Sequence, residues 1–192
     1  MRQMMEKIRR EGEVLPGGVL KVGGFLNQRI DVAFLREIGR EIARLYGGSG
    51  VNKILTVESS GIAIAAAAAM ELDVPMVFAK KHRTSNVDGA VWTTPVHSFT
   101  HNLDYNMVVS RDYLTAEDRV LLVDDFLANG AALQGLKDLT EQAGAVLVGA
   151  AVAIEKRFQG GGDALRAKGV RVEALAMIED MSGGVVRFAG EE

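Results

Sequence analysis

The segment from Arg119 to Gly135 constrains the fold of this chain more than any other part of the sequence. It reads R-V-L-L-V-D-D-F-L-A-N-G-A-A-L-Q-G: an apolar run from Val120 to Val123, the two acids Asp124 and Asp125, and a loop of small residues. The uninterrupted apolar run is typical of a strand buried on both faces. From Gly130 leucine recurs at every third position, which indicates a helix. We therefore predict a strand ending near residue 123, a loop and a helix.

The loop of small residues is a candidate phosphate site, formed by Ala128, Asn129, Gly130, Ala131 and Ala132. A loop of this kind at a helix N-terminus directs backbone N–H groups outward, and such groups bind phosphate without a basic side chain. The two acids before the loop can accept hydrogen bonds from sugar hydroxyls. The alternative is an ordinary turn in which the aspartates cap the helix. The order of apolar strand, acid pair and small loop favours the phosphate site.

A second turn of this kind follows the apolar run at residues 51–57. Glu58, Ser59 and Ser60 lead directly into an alanine-rich helix. This turn is another candidate anion site, unless one serine merely caps the helix. Because ligands in open α/β sheets bind at the carboxyl ends of strands, the two turns together favour a binding site at that edge.

A basic cluster and a long connection follow the third predicted strand, residues 75–79. The cations are Lys80, Lys81 and Arg83. A connection of this length inside a compact domain is usually functional or mobile. We expect residues of about 82–105 to form a flexible arm, partly a β-hairpin, whose cations meet an anion bound at the two turns. The alternative is a solvated run of charge.

The alternation of strands and helices across the chain predicts an α/β fold with a three-layer, doubly wound parallel sheet. A length of 192 residues suits a single domain over residues 1–192. Neither the net charge of −3 nor the residue pattern supplies a basic footprint for nucleic acid.

Composition and local pattern also exclude several classes of protein. The chain contains no cysteine, so disulfides and thiol chemistry are excluded, and its histidines lack the spacing of a metal site. No apolar run approaches the ~20 residues that span a bilayer. The charged N-terminus lacks the apolar core of a secretory signal. We therefore expect a cytoplasmic protein with no membrane partner and no protein-held metal.

The central segment resembles the phosphoribosyl diphosphate (PRPP) signature of type I phosphoribosyltransferases. It departs from the common form in having Asn129 and Ala132 where Ser or Thr is usual, so backbone amides and the Asn129 amide would bind the phosphate. The A-N-G-A-A loop is itself typical of the bacterial xanthine phosphoribosyltransferases, which the chain resembles over essentially its whole length. The further resembling segments are V-L-K-V (19–22), F-L-N-Q (25–28), V-E-S-S-G-I-A (57–63), V-F-A-K-K-H (77–82), H-S-F-T (97–100) and I-E-K-R-F-Q (154–159).

The resemblance implies a purine site at Leu20, Asn27 and Lys156 and a PRPP site at residues 128–132. It also implies a homodimer, and a small hood over the site from about residues 1–30 and C-terminal segments. The Lys156 ammonium can donate to a purine carbonyl, whereas the exocyclic amine of adenine cannot accept from it. This chemistry favours a 6-oxopurine.

The implied reaction moves the 5-phosphoribosyl group from PRPP to N9 of xanthine. Asp124 and Asp125 would hold the ribose and stabilise its developing charge, and the 58–60 turn with the basic cluster would neutralise the pyrophosphate. Mg²⁺ is expected on the PRPP oxygens, held mainly by substrate and water. The alternatives are a guanine or hypoxanthine phosphoribosyltransferase, or a PRPP-sensing transcriptional regulator of the same fold.

Overall fold

The computed structural model describes residues 1–82, 89–98 and 103–191 of the chain. The α-helices in this part are α1 (Arg2–Glu11), α2 (Val32–Tyr46), α3 (Gly61–Leu72), α4 (Ala131–Gln142) and α5 (Gly161–Ala167). The strands are β1 (Glu13–Leu15), β2 (Val19–Lys21), β3 (Lys53–Val57), β4 (Met76–Ala79), β5 (Val91–Ser98), β6 (Leu103–Ser110), β7 (Arg119–Leu127), β8 (Val146–Lys156), β9 (Val172–Asp180) and β10 (Arg187–Phe188).

A central sheet of six strands, counted over the described ranges, has the order β10-β9-β8-β7-β3-β4. The strands β4, β3, β7, β8 and β9 are parallel to one another, and β10 pairs with β9 in the antiparallel direction. The helices α3, α4 and α5 connect successive parallel strands. The predicted doubly wound parallel sheet is confirmed, and an antiparallel strand is added at one edge.

The side chains of β7 alternate between two apolar cores, one on each face of the sheet. Leu121 and Val123 belong to the core that contains side chains of α1, α2 and α3. Val120 and Leu122 belong to the core formed with α4, α5 and the β5–β6 hairpin. Burial on both faces explains why the sequence of this strand is apolar without alternation.

The acid pair lies inside β7 and not in a loop after it, so the predicted end of this strand near residue 123 is wrong. The pairing of β7 with β3 ends at Leu122, but its pairing with β8 continues to Leu127, opposite Glu155. The apolar run ends close to the point where β7 loses its neighbour β3, since beyond Leu122 only the edge that pairs with β8 lies inside the sheet. Asp124 and Asp125 therefore stand on rigid backbone beside an open crevice.

The predicted β-hairpin of the arm is present as the antiparallel pair β5–β6. It packs on α4, where a Cβ at Gly135 would lie 2.7 Å from Cγ2 of Val96. Glycine thus permits the close approach of helix and hairpin. Residues 83–88 and 99–102 lie outside the described residues, and Arg83 with them. The flexibility expected of the arm remains a prediction.

The N-terminal segment consists of α1, the β1–β2 hairpin and a π-helical turn, Gly23–Asn27. The Lys7 ammonium contacts the Asp31 carboxylate at 2.6 Å and lies 5.5 Å and 5.1 Å from the ring centroids of Phe25 and Phe34. Asp31 also caps α2 by accepting the N–H of Phe34 at 3.1 Å. These contacts fix the turn that ends at Asn27 against α1 and α2.

Candidate active site

A cavity of about 950 Å³ opens at the carboxyl ends of β3, β7 and β8. It is lined by nearly all the candidate site residues of the sequence analysis. These are Leu20, Asn27, Glu58, Ser59, Ser60, Lys81, Asp124, Asp125, Ala128, Asn129, Gly130, Ala131, Ala132 and Lys156. Residues up to 136 positions apart in sequence, Leu20 and Lys156, therefore share one cavity.

The phosphate loop, residues 128–132, connects β7 to the N-terminus of α4. Gly130 has φ of +86° and occupies the position before the helix, a left-handed conformation that favours glycine. The Asn129 side-chain oxygen accepts the N–H of Ala131 at 3.1 Å. The Asn129 amide thus shapes the loop with its oxygen, and its NH₂ group is the part that can donate to a phosphate.

The acid pair, Asp124 and Asp125, lines the cavity just before the phosphate loop. Asp124 is only 5% exposed, and one of its oxygens accepts the N–H of Asp125 at 2.9 Å. Burial raises the pKa of Asp124 well above its usual range, and the negative charge of Asp125 raises this pKa further. Asp125 is more exposed, and it accepts a hydrogen bond of 3.4 Å from Nδ2 of Asn27. The pair therefore presents one carboxyl that favours its neutral form beside a more accessible one.

Lys156, the last residue of β8, also lines the cavity. Its ammonium donates to the carbonyl oxygen of Gly18 at 2.8 Å and lies 5.4 Å from the ring centroid of Phe126. Burial lowers the pKa of Lys156. Leu20, which is 5% exposed, lines the same cavity, and it precedes Lys21 by one position and follows Gly18 by two. A flat ring bound there would have an apolar surround and one strong donor.

Phe126 and Gly18 line the cavity but were not among the predicted site residues. A signal for Phe126 exists in the sequence, because β7 alternates its side chains and Phe126 follows Asp124 by two positions. Gly17 and Gly18 both have positive φ, +80° and +73°, in the turn between β1 and β2. The Pro16-Gly17-Gly18 pattern predicts a turn but does not predict which element the turn contacts.

The predicted basic cluster is brought to the cavity only in part. Lys81 lines the cavity, its backbone N–H donates to the Glu58 carboxylate at 2.7 Å, and its ammonium lies 5.7 Å from the ring centroid of Tyr105. Lys80 pairs through its backbone with Val108 and is not one of the described residues that line the cavity. The roles of these cations and of Arg83 remain predictions.

Two further findings concern metal and membrane. Over residues 1–82, 89–98 and 103–191, no three or more His, Asp or Glu side chains are grouped so that they could hold a metal ion. Over the same ranges, no helix combines the length and the apolar character needed to cross a membrane.

The chain is similar to several known proteins. A family model for the phosphoribosyl transferase domain matches residues 29–176. The xanthine phosphoribosyltransferase of Heliobacterium modesticaldum (strain ATCC 51547 / Ice1) is 50% identical over 189 residues, which are 98% of this chain and 100% of that protein. The protein of the same name from Clostridioides difficile (strain 630) is 51% identical over 189 residues, again 98% and 100% of the two chains.

Among solved structures, the adenine phosphoribosyltransferase of Rhodothermus marinus DSM 4252 matches with a TM-score of 0.74 and 21% identity. The match covers 93% of this chain and 100% of that one. At this identity, the likeness bears on the fold alone.

Proposed function

Because this chain belongs to the phosphoribosyltransferase family, we propose that it is the enzyme that transfers the 5-phosphoribosyl group from PRPP to N9 of xanthine in purine salvage. The products are xanthosine monophosphate and pyrophosphate. One observation carries the proposal: the phosphate loop, the acid pair and Lys156 all line a single cavity. The two xanthine phosphoribosyltransferases at about half identity over nearly the whole chain support xanthine as the acceptor.

The protein acts in this reaction mainly by positioning and by electrostatics. Departure of pyrophosphate leaves positive charge on the ribose, in a state similar to the oxocarbenium ion of glycoside hydrolysis. The phosphate loop holds the 5′-phosphate, and the acid pair holds the ribose hydroxyls. Asp125, the more exposed acid, supplies negative charge to the developing cation. Asp124, which is more buried, contacts the ribose hydroxyls beside it.

Purine selection follows from the ammonium donor of Lys156. Lys156 donates to the 6-carbonyl of the purine, and Asn27 reads the second carbonyl or the adjacent N–H. Leu20 and Phe126 pack on the ring. Guanine and hypoxanthine also have a 6-carbonyl, so phosphoribosyl transfer to either of these bases is the second candidate function. The hairpin turn at Gly17 and Gly18 is one part of the hood that we expect over the base, which comprises about residues 1–30 and C-terminal segments.

The leaving pyrophosphate is bound at the turn of Glu58, Ser59 and Ser60 with Lys81. Mg²⁺ is held mainly by PRPP oxygens and water, because the described residues provide only scattered carboxylates here. Asp125 and Glu58 are the cavity carboxylates that are only partly buried, and so are the ones that could contact the ion. When bound, the ion would neutralise charge on the pyrophosphate. The residues of the chain then have only to orient the diphosphate.

A homodimer and a cytoplasmic location also belong to the proposal. An apolar surface at the end of α3 supports the dimer, since Met70 is 74% exposed and shares a surface depression with Val74, Pro75 and Met76. Sedimentation equilibrium of the wild type should give twice the chain mass, and Met70→Glu should shift it toward the monomer. A wild-type monomer at all concentrations would contradict the proposed assembly.

A steady-state comparison of xanthine, guanine, hypoxanthine and adenine, each with PRPP and Mg²⁺, tests the proposed function. We expect kcat/KM to be highest for xanthine and lowest for adenine. A maximum for guanine or hypoxanthine would establish the second candidate. An electrophoretic mobility shift assay tests the alternative of a PRPP-sensing transcriptional regulator. We expect no DNA binding, because the described residues form no helix-turn-helix near the N-terminus.

A further inference from the structure

The turn that follows β8 packs directly behind the phosphate loop. The N–H of Gly161 donates to the carbonyl oxygen of Ala128 at 3.1 Å. A Cβ at Gly161 would lie 2.4 Å from three backbone atoms of the loop, in Ala128, Asn129 and Gly130. Cβ atoms in real proteins essentially never lie within 3.0 Å of a heavy atom of a residue that is not a chain neighbour. Only glycine at position 161 is therefore compatible with the loop where it lies.

A buried ion pair holds this turn in place. Glu155 is 0% exposed, and the guanidinium of Arg166 on α5 binds both of its oxygens, at 2.6 Å and 2.8 Å. A Cβ at Gly162 would lie 1.9 Å from Oε1 of Glu155, so the pair occupies the space beside the turn. Glu155 also pairs through β8 with Leu127, the residue before the phosphate loop. The pair thus joins the strand end, the turn and the start of α5.

We propose that Gly161, Glu155 and Arg166 are positioning residues for the phosphate loop. None of the three lines the cavity as described, so they act through the loop and not on substrate. The turn lies against the back of the loop, and the ion pair stops the turn from withdrawing. The loop N–H groups therefore stay aimed at the phosphate before it arrives, and no ordering cost is added on binding. The inference rests on the proposed function, in which this loop binds the 5′-phosphate of PRPP.

The charge and burial of the pair explain why it can fix the turn. A bidentate contact between a guanidinium and a carboxylate has one favoured geometry. Removing Arg166 leaves the wholly buried Glu155 as an uncompensated charge. Arg166 is the better residue to change, because Glu155 is adjacent to Lys156, which reads the base in the proposed function.

The first test is Gly161→Ala. The methyl group must push the loop away, and a displacement of about 1 Å in a positioned group costs about 100-fold. We expect the KM for PRPP to rise on that scale while the KM for xanthine changes little. Ribose 5-phosphate carries the 5′-phosphate without the pyrophosphate, so its inhibition constant against PRPP should rise in parallel.

The matched control is Gly169→Ala, just beyond α5. Gly169 has positive φ, +82°, and no atom lies within 4 Å of the Cβ it would gain. The substitution strains the same part of the chain without reaching the loop. We expect lower thermal stability with both KM values unchanged.

Arg166→Lys is the second variant, because it keeps the positive charge but cannot form the bidentate contact with the Glu155 carboxylate. It should fold, and its KM for PRPP should rise less than in Gly161→Ala while the KM for xanthine stays near that of the wild type. If Gly161→Ala fails to fold, Arg166→Lys decides alone. Equal rises for PRPP and xanthine, or no rise for PRPP in a folded variant, would overturn the positioning role of the residue changed.

The test separates the inference from the proposed function. Calorimetric titration of PRPP and of ribose 5-phosphate needs no turnover. If the wild type binds both but does not use xanthine, the proposed substrate is wrong, and the variants still report on the loop. If the wild type turns over xanthine while the variants bind ribose 5-phosphate as tightly as it does, the inference alone fails.

Discussion

Replacing Lys156 by glutamine should change which purine the enzyme prefers. The ammonium lies half-buried at the end of β8, 2.8 Å from the carbonyl oxygen of Gly18. Glutamine keeps a shorter donor, adds an acceptor and removes the charge. A hydrogen bond to a charged group contributes about 1.5–3 kcal/mol, which corresponds to roughly 10–150-fold in kcat/KM for xanthine.

Adenine gives the comparison, because its exocyclic amine is a donor and gains nothing from the lysine. Its kcat/KM should fall little in Lys156→Gln, and the new acceptor can even raise it slightly. The assay is steady-state turnover of both bases at saturating PRPP. Lys156→Met keeps the apolar stem without donor or acceptor, so it should lower xanthine activity and give adenine no gain.

Lys21→Gln is the control for a change of charge near the cavity. Lys21 follows Leu20 on β2, and its ammonium lies 3.4 Å from the exposed carboxylate of Glu13, outside the cavity lining. Its xanthine-to-adenine ratio should equal that of the wild type. If Lys156→Gln also leaves the ratio unchanged, Lys156 does not read the base, and it is the solvated strand-end residue that most lysines are.

Four further predictions concern the phosphate end of the cavity. Asp125→Asn should lower turnover by about 10²-fold with little change in the circular dichroism spectrum, the scale of losing one preorganised electrostatic contact; near-normal turnover would remove this acid from the mechanism. Gly130→Val should raise the KM for PRPP far more than that for xanthine, since φ of +86° suits glycine; equal rises would indicate a purely structural turn. Lys81→Gln should lower turnover without lowering the melting temperature, and the reverse pattern would assign it to stability. Asp124→Asn tests the raised pKa of Asp124: between the unfolded value near 3.9 and the higher folded value the native state binds more protons, so the free energy of unfolding of the wild type falls as pH rises. The variant lacks this pH dependence, so the melting temperature of the variant minus that of the wild type should increase as pH rises. A difference that stays constant with pH would contradict the raised pKa of Asp124.

The sequence alone predicted the fold class because burial leaves a direct record in it. Two apolar runs without alternation, each followed by small residues and a helical pattern, correspond to β3 with α3 and β7 with α4. The end of β7 was missed for a physical reason. Apolar patterning reports which side chains are buried, whereas a strand persists while its backbone is paired. β7 keeps its pairing with β8 for five residues after its last pair with β3, at Leu122.

The same divergence of strands creates the crevice. Beyond Leu122 the edge of β7 toward β3 is unpaired along its described length, and the acid pair stands at that point. Ligands in open α/β sheets bind in such crevices. The sequence therefore indicates the acids and the loop, and the pairing of strands explains why a ligand can reach them.

Contacts between distant parts of the chain could not be predicted from local pattern. Lys156 meets Gly18 across 138 positions, and Asn27 meets Asp125 across 98. No periodicity or turn preference encodes which carbonyl a lysine will find. The resemblance to a family supplied Lys156 and Asn27 as purine residues, but it did not supply their partners within the protein.

These two contacts change what purine recognition requires. In the structure, the donor of Lys156 and the amide of Asn27 are already engaged, with the Gly18 carbonyl and the Asp125 carboxylate. An ammonium has three donors, so Lys156 can keep Gly18 and still donate to a purine carbonyl. Asn27 has two amide hydrogens, and the one that does not contact Asp125 can donate to a further acceptor. Binding of a 6-oxopurine in the proposed site therefore adds bonds to groups that the hairpin turn and the acid pair already orient. Adenine brings its amine against the Lys156 donor and offers that donor no acceptor. Discrimination on this basis comes mainly from the charge-assisted hydrogen bond that the 6-carbonyl accepts and that the amine of adenine cannot accept.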